Sequence, residues 1–446
     1  KGVMLSHRNL IANFTAHAKV QPLNQNHRIV SFLPLCHIYE RSMNYEYQYL
    51  GVSIYYAESL ATIAADILDV KAHGFCSVPR ILEMVYDKFI SAGKDLRGIK
   101  KIIYSLAIYH GHRYDLHKNP WYRFWLKIFD KLVYVKWREK LGGNRMAIVC
   151  GSSAVRDKIV RLFHAAGLEV YEGYGLSETS PVISVNNPNG KEVKLGTVGC
   201  VLENVEVKIA DDGEILTKGP SLMLGYYKDP EYTQQVIDEE GWFHTGDIGR
   251  FIDGKYLKIT DRKKEIFKLS AGKYVAPQLI ENMFKESPLI VDLMVIGENE
   301  KFTSAIISPN FNYLHFWAAK HKLRYKDNAD LIGLPATQKR IQREIDTYNK
   351  LLAPHEQIKA FRLVADEWTP QTGELSPTLK LKRSVLTKKY QSIINQIYHK
   401  QTNNQGHAFS FKNINLSLIQ IKSTIDTAIK KTSETLSNNF NKNNNE

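Results

Sequence analysis

The chain has 446 residues, 43% apolar and 24% charged, a balance ordinary for a globular protein and a length that points to two or three domains. Cys36, Cys76, Cys150 and Cys200 form no CxxC and no His/Cys cluster of metal spacing, and no apolar run is long enough for a membrane span; this argues against a structural zinc site and a spanning helix, and for a reducing compartment. The net charge of +14 is scattered over helical stretches and no nucleic-acid motif stands out, so phosphate-rich small molecules or an anionic membrane surface are the better readings.

The first seven residues, "KGVMLSH", read as a loop-to-helix junction with Lys1 at its edge. Residues 28–35 ("RIVSFLPL"), 101–106 ("KIIYSL") and 145–153 ("RMAIVCGSS") read as buried strands, with helical patterns between and after them such as "RDKIVRLFHAAG", closed by Gly167. Strand and helix in alternation predict βαβ units and a largely parallel sheet. Within this region "NPWYRFWLKIFDKLVYVKW" predicts a helix with Asn119 as cap and Pro120 in its first turn. Trp121, Phe124, Trp125, Ile128, Phe129, Leu132 and Val133 share one face. Such a stripe, with Arg123, Lys127 and Lys131 beside it, suits either a membrane interface or the protein's own core, and core packing is the commoner use.

"YEGYGLSETSP" (residues 171–181) places Tyr174 between glycines and an acid at Glu178. A Gly-rich turn lets backbone approach a ligand, an aromatic ring can stack on a purine, and a carboxylate can hold Mg²⁺; an ordinary turn with a solvated acid is the alternative. From about Val193 the pattern changes to short strands with an Asp212-Gly213 turn, a small β subdomain over about 193–260. In "GWFHTGDIGRFIDGKYLKITDRKKEI", Asp247 is read at a tight turn between two glycines, placed to accept hydrogen bonds from vicinal hydroxyls. Asp261 and Arg262 follow, an acid and a guanidinium fork that suit ribose and phosphate; a hairpin with a charged turn is the alternative.

A domain boundary is expected near residues 261–264, a stretch read as too charged for core. Beyond it come a hairpin over residues 289–309, two charged helices, and the strand-like "IKAFRLVADEW". "TGELSPTLKLKR" sets Lys380 in a loop bearing Gly and Pro, where a lysine can neutralise a phosphate or carboxylate at the moment of reaction; a solvated lysine beside Lys382 and Arg383 is the alternative. The tail from about residue 399 ends in "NNFNKNNNE", an Asn-rich stretch expected to be disordered, preceded by Leu418, Ile421, Ile425 and Ala428 at helical spacing.

In order, "KGVMLSH", "LPLCHIYER", "CGSSAV", "YEGYGLSET", "GWFHTGDIG", "DRKKEIFKLSAGKYVAP" and "SPTLKLKR" resemble the AMP-forming acyl-CoA synthetases of the adenylate-forming superfamily, from Lys1 to about Tyr398. "LPLCHIYER" and "SPTLKLKR" are similar to its long-chain fatty acid branch. The resemblance implies an α/β fold. Residues 1–261 are the remainder of a large N-terminal domain of parallel-sheet βαβ units plus the small β subdomain, residues 262–398 a small mobile α+β C-terminal domain, and residues 399–446 a tail. It also implies that a Ser/Thr/Gly-rich phosphate-binding loop ends at Lys1, so that the chain as it stands is an N-terminally truncated piece, expected to fail the first half-reaction.

The implied chemistry is formation of an acyl-adenylate from a carboxylate and ATP, then transfer of the acyl group to CoA, with ATP, Mg²⁺ and CoA as co-substrates and cofactor and a fatty acid as substrate. Carried over position by position, Gly151, Ser152 and Ser153 border adenine, Tyr174 stacks on it with Gly175 and Ser177 adjoining, and Glu178 is the Mg²⁺ ligand. Asp247 binds ribose, Arg262 holds ribose and α-phosphate, Lys264 lies at the hinge, Lys380 is the catalytic lysine, His37 lies near the acyl and phosphate sites, and Gly272 belongs to the CoA-side loop. Ser177 stands where Thr is commoner, and Ala271 where a second Gly is usual. An acyl-adenylate ligase serving a carrier protein and a non-catalytic relative are the alternatives. No nucleic-acid partner is expected; the location is read as cytoplasmic, with peripheral membrane contact as a further option, and chain length and oligomeric state stay open.

Overall fold

The computed structural model describes residues 2–59, 61–115, 119–376 and 380–398. The predicted tail helix around Leu418–Ala428 and the Asn-rich end lie outside the described residues.

Among the described residues eighteen strands run in chain order. They are β1 (Val3–Met4), β2 (Arg28–Ser31), β3 (Ser53–Tyr56), β4 (Gly74–Ser77), β5 (Met146–Cys150), β6 (Leu168–Gly175), β7 (Val182–Val185), β8 (Cys200–Val201), β9 (Glu206–Ile209) and β10 (Glu214–Lys218). There follow β11 (Gly225–Tyr226), β12 (Phe243–Ile252), β13 (Tyr256–Arg262), β14 (Phe267–Lys268), β15 (Tyr274–Val275), β16 (Ile290–Ile296), β17 (Ser304–Pro309) and β18 (Ala360–Leu363).

The main sheet has 11 strands in the order β3-β2-β4-β5-β6-β7-β8-β13-β12-β10-β9. From β3 to β6 every pairing is parallel; from β6 onward every pairing is antiparallel. Strands β2, β4 and β5 of the parallel half are almost wholly buried, as inner parallel strands are, while the edge strand β3 is largely exposed. The best-covered helix of this half, Asp157–Ala165, buries Ile159, Val160, Leu162 and Phe163, each worth about 1.5–3 kcal/mol on leaving water. The antiparallel half carries its expected Asp-Gly turn: Gly213, at φ +84°, joins β9 to β10.

One segment departs from its sequence reading. Residues 101–106 are not a strand but the middle of the helix Gly98–Gly111. The run "KIIYSL" is too short for periodicity to separate helix from strand. Packing decides it: Ala107 and Gly111 are buried, and a Cβ on Gly111 would sit 2.3 Å from Leu162 Cδ1. A close helix–helix crossing thus fixes the conformation.

Beyond residue 262 the chain builds a second, α+β assembly. β16 and β17 form the expected antiparallel hairpin, and β18 joins β17 in parallel. The helices Pro277–Phe284, Phe311–Lys320 and Pro335–Asn349 pack on this sheet through Ile280, Phe284, Leu314, Ile341 and Ile345. In the charged stretch at 261–264, Arg262, Lys263 and Lys264 are exposed as expected, and only Asp261 is not. Asp261 is buried and accepts from the backbone N–H of Arg262 and of Gln278, at 2.6 and 3.0 Å. It thereby occupies the N-terminus of the helix Pro277–Phe284, where a carboxylate is favoured.

Candidate active site

Three residues from two distant parts of the chain meet where β6 comes to the β12–β13 hairpin, and Lys380, from a third part, lies in their electrostatic reach. The Tyr174 hydroxyl donates to Asp247 Oδ2 at 2.7 Å. Asp247 Oδ1 lies 3.2 Å from Arg262 Nε. Lys380 is near enough for its charge to act on Asp247 and to be acted on by Arg262.

Asp247 is not at a turn. It lies inside β12, directly opposite Arg262 of β13. The hairpin turn comes later, at Asp253 and Gly254, both at positive φ. Gly246 alone among the neighbours of Asp247 is left-handed, at φ +72°. Cross-strand opposition suits an acid and a base, and it holds the carboxylate at one depth in the sheet. Thr245, two residues earlier, accepts from the Asp247 N–H through Oγ1 at 3.1 Å and donates to Ile215 O at 2.7 Å. Burial pushes the Asp247 carboxyl above its usual range, against the Tyr174 hydrogen bond and the charges of Arg262 and Lys380. Burial likewise lowers Lys380, Arg262 lowers it further, and Asp247 and Glu265 oppose the shift.

β6 presents Tyr174 because the strand breaks its register there, with an irregularity between Tyr174 and Gly175. Gly175 is obligatory: a Cβ would lie 1.9 Å from Pro181 O. The chain then enters the short turn Ser177–Thr179. There Glu178 Oε1 accepts from the Tyr226 hydroxyl at 2.7 Å, and Tyr226 lies on β11, which pairs with β1 at the start of the described chain. Two asparagines of the helix His7–Ala18 fasten this region, Asn13 at the exit of the turn and Asn9 at residues 220–222. Asn13 Nδ2 donates to Val182 O at 2.8 Å and its Oδ1 accepts from Val182 N–H at 3.0 Å. Asn9 donates to Pro220 O and Leu222 O, both at 2.8 Å.

Gly151, Ser152 and Ser153 follow the end of β5, beside β6, and Ser152 is held at φ +75°. A Cβ on Gly151 would come 3.7 Å from the Tyr39 ring and 4.0 Å from Gly173 O, so these residues border the Tyr174 strand. Ser177 is exposed. Lys264 is exposed in the turn after β13, with its ammonium 6.0 Å from the centre of the Tyr232 ring. Two expected residues are not joined to the cluster by any contact among the described residues. His37 is the exposed N-cap residue of the helix Ile38–Tyr49, and Gly272, at φ +81°, turns the small β14–β15 ribbon. Lys1 lies outside the described residues.

The reading of the sequence assigned Arg383, three positions after Lys380, no role beyond that of a charged neighbour. Its Nη2 donates to both oxygens of Glu281 at 2.7 Å, its Nε to Glu265 Oε2 at 3.0 Å, and its Nη1 to Val295 O at 3.3 Å. Glu281 is buried and pushed up to about 7 by that burial, against the pull of Arg383. This buried fork ties the base of the Lys380 loop to the segment after β13. Thr245, Tyr226 and Asn13 escaped notice; only the short spacing of Thr245 and Asp247 in "HTGD" signalled any of them.

All four cysteines are free. Among the described residues no cluster of three or more metal-ligating side chains exists, and no helix is long and apolar enough to cross a membrane.

The profile described as "AMP-binding enzyme" matches residues 1–227, and that described as "AMP-binding enzyme C-terminal domain" matches residues 264–402. The chain is 34% identical over 419 residues to the peroxisomal long chain acyl-CoA synthetase 7 of Arabidopsis thaliana, covering 89% of this chain and 59% of that protein. It is 33% identical over 413 residues to the long-chain-fatty-acid–CoA ligase FadD15 of Mycobacterium bovis, covering 90% of this chain and 67% of that one. The chain thus spans about three-fifths of the plant relative's length. Among solved structures, the adenylation domain of a carboxylate reductase from Mycobacterium chelonae matches at a TM-score of 0.65 and 23% identity, over 88% of this chain and 57% of that chain. An AMP complex of O-succinylbenzoate coenzyme A synthetase from Bacillus subtilis matches at 0.58 and 18%, over 86% and 66%. Those two share the fold. On the sequence matches, the chain belongs to the AMP-binding family of adenylate-forming acyl-CoA synthetases.

Proposed function

We propose that this protein activates a long-chain fatty acid with ATP and passes the acyl group to coenzyme A, releasing AMP and pyrophosphate. The observation that supports it best is the meeting of Tyr174, Asp247 and Arg262 in one half-buried place, with the charge of Lys380 acting on it. An aromatic face, a buried carboxylate acceptor and two cations are the groups a nucleoside phosphate requires.

In this reading Tyr174 stacks on adenine beside Gly151, Ser152, Ser153, Gly175 and Ser177, and Asp247 accepts from the ribose hydroxyls. Arg262 spans ribose and α-phosphate. A carboxylate oxygen of the fatty acid attacks the α-phosphorus, the bond to the bridging oxygen breaks, and pyrophosphate leaves with the electron pair. Negative charge builds on the α-phosphate oxygens and the incoming carboxylate. Lys380, partly desolvated, is the cation placed to meet it, which is the kind of preorganised charge that lowers such barriers. In the second step the CoA thiolate attacks the acyl carbon and AMP leaves. Rotation at Lys264 would withdraw Lys380 and bring the Gly272 ribbon to the site; His37 would lie on the acyl side.

The residues also fit Mg²⁺. This ion is held by one or two carboxylates together with substrate phosphates, and Glu178 supplies one carboxylate, steadied by Tyr226. Bound there, Mg²⁺ would neutralise phosphate charge.

The test is product analysis of the protein expressed from its full coding sequence, with palmitate, ATP and Mg²⁺. Acyl-CoA and AMP formed only when CoA is present, with pyrophosphate exchange in its absence, is the expected result. Acyl transfer to an acyl carrier protein but not to CoA, or no ATP turnover at all, would overturn the reading.

A further inference from the structure

The aromatic stripe at residues 121–133 divides in the folded chain. The helix Pro120–Phe129 is capped as expected by Asn119, whose side chain accepts from Tyr122 N–H at 2.9 Å. It continues through a π-helical turn, Asp130–Tyr134, into the helix Val135–Glu139. Phe129 and Val133 enter the core, with Trp125 and Leu126 packed against it. Trp121, Phe124 and Leu132 do not: they are 68%, 52% and 44% exposed. The stripe is therefore core on one flank and solvent-facing on the other.

The neighbouring helix Gly98–Gly111 has a matching outer face. Ile99, Ile102, Leu106 and Tyr109 are 75%, 60%, 44% and 52% exposed, and they fall at positions i, i+3, i+7 and i+10. The two helices lie side by side. The Tyr122 hydroxyl donates to His110 O at 2.6 Å, and the His110 and Phe129 rings are 5.1 Å apart. The pair is anchored firmly from within. Tyr134 donates to Ala107 O at 2.6 Å, and Arg138 bridges Asp130 and Ala166 O, with both contacts at 2.6 Å. Seven large apolar side chains on a rigid two-helix face are more than scattered exposure explains.

The charge around them is one-sided. Residues 94–140 hold twelve Lys and Arg against four Asp and Glu. Lys100, Lys101, Lys127, Lys131 and Lys136 are all exposed and make no ion pair among the described residues. Arg113 lies 3.6 Å over the Tyr109 ring. A second copy of the chain fits such a face poorly, since a self-complementary contact would bring the lysines together. A surface that is apolar in depth and negative at its rim fits well.

We propose that this two-helix face docks onto an anionic lipid bilayer, with Trp121, Phe124 and the outer residues of Gly98–Gly111 in the interfacial layer and the lysines against acidic headgroups. The bound segment lies on the membrane and does not cross it. The inference uses none of the nucleotide-site residues and does not depend on the reaction proposed above.

Co-sedimentation of the whole protein with vesicles tests it, using phosphatidylcholine alone and phosphatidylcholine containing phosphatidylserine. Wild-type protein should pellet with the acidic vesicles and far less with the neutral ones, and salt should release it. Lys127→Glu with Lys131→Glu should weaken binding by about thirtyfold, and Trp121→Ser with Phe124→Ser by at least about tenfold, with thermal unfolding unchanged because all four side chains are exposed. Binding that ignores lipid charge, variants that bind like wild type, or absence of binding to either vesicle would overturn the proposal. So would a concentration-dependent dimer that these variants abolish, which would make the face a self-contact, and so would saturable binding to an acidic protein partner in place of lipid.

Discussion

Tyr174 and Asp247 stand 73 positions apart, and the phenol of one donates to the carboxylate of the other at 2.7 Å. The bond ties the strand that precedes Glu178 to the hairpin that carries Arg262, so the aromatic and acidic halves of the site move together.

Removing one end should therefore injure the other. Tyr174→Phe keeps the ring but leaves Asp247 with one partner fewer, and should cost about 1–2 kcal/mol of ATP affinity. Asp247→Ala removes the acceptor and should cost about 1.5–3 kcal/mol. Titration with a fluorescent ATP analogue measures both; affinity unchanged in Asp247→Ala would remove Asp247 from the ribose site.

Asn13 is buried and bonds both polar groups of Val182. Asn13→Leu strands a buried N–H and C=O, and should cost about 2–4 kcal/mol of stability. The Glu178 turn should loosen first, seen as faster amide exchange at residues 179–182 than in the rest of β7. Uniform exchange across the region would show that the turn is held by something else.

Much of this was legible in the sequence where a local rule acts alone. The Asp212-Gly213 turn, the Asn119 cap and the hairpin of β16 and β17 follow from turn chemistry, capping and period-two alternation. The helix at residues 101–106 was not legible, since its conformation is set by the close approach of Gly111 to Leu162. Asp261 was read as surface because charge is normally solvated; two backbone N–H groups and a helix terminus keep it buried instead. Motif order brought Tyr174, Asp247, Arg262 and Lys380 to notice, but nothing local shows that Lys380 comes back to Asp247 across 133 positions, or that Arg383 fixes its approach.

Three carboxyls, Glu40, Glu172 and Glu281, are pushed up to about 7 by burial. A raised folded value means that the native chain holds the proton more tightly than the unfolded one. The contribution of Glu40 is thus complete below its ordinary 4.5 and is lost as pH rises through about 7. At about 1.4 kcal/mol per pH unit, its share is on the order of 3 kcal/mol. Urea midpoints should fall between about pH 5 and about pH 8, and Glu40→Gln should flatten that slope. A slope identical in the two proteins would show that Glu40 does not titrate there.

Arg383→Met leaves Glu281 buried without its cation and should destabilise the chain by about 3 kcal/mol. Glu281→Gln with Arg383→Met should recover part of that loss. A double variant no better than the single one would mean that Arg383 acts through Glu265 and not through Glu281.

The central claim is that Lys380 acts on the nucleotide site in the adenylating step and not in the thioester step. Comparing Lys380→Ala with wild type in both half-reactions, on protein expressed from its full coding sequence, tests it most directly. Fatty-acid-dependent ATP–pyrophosphate exchange should fall by roughly 10²–10³-fold, while CoA thioester formation from supplied acyl-adenylate stays near the wild-type rate. Equal loss in both half-reactions, or exchange that survives the substitution, would contradict it.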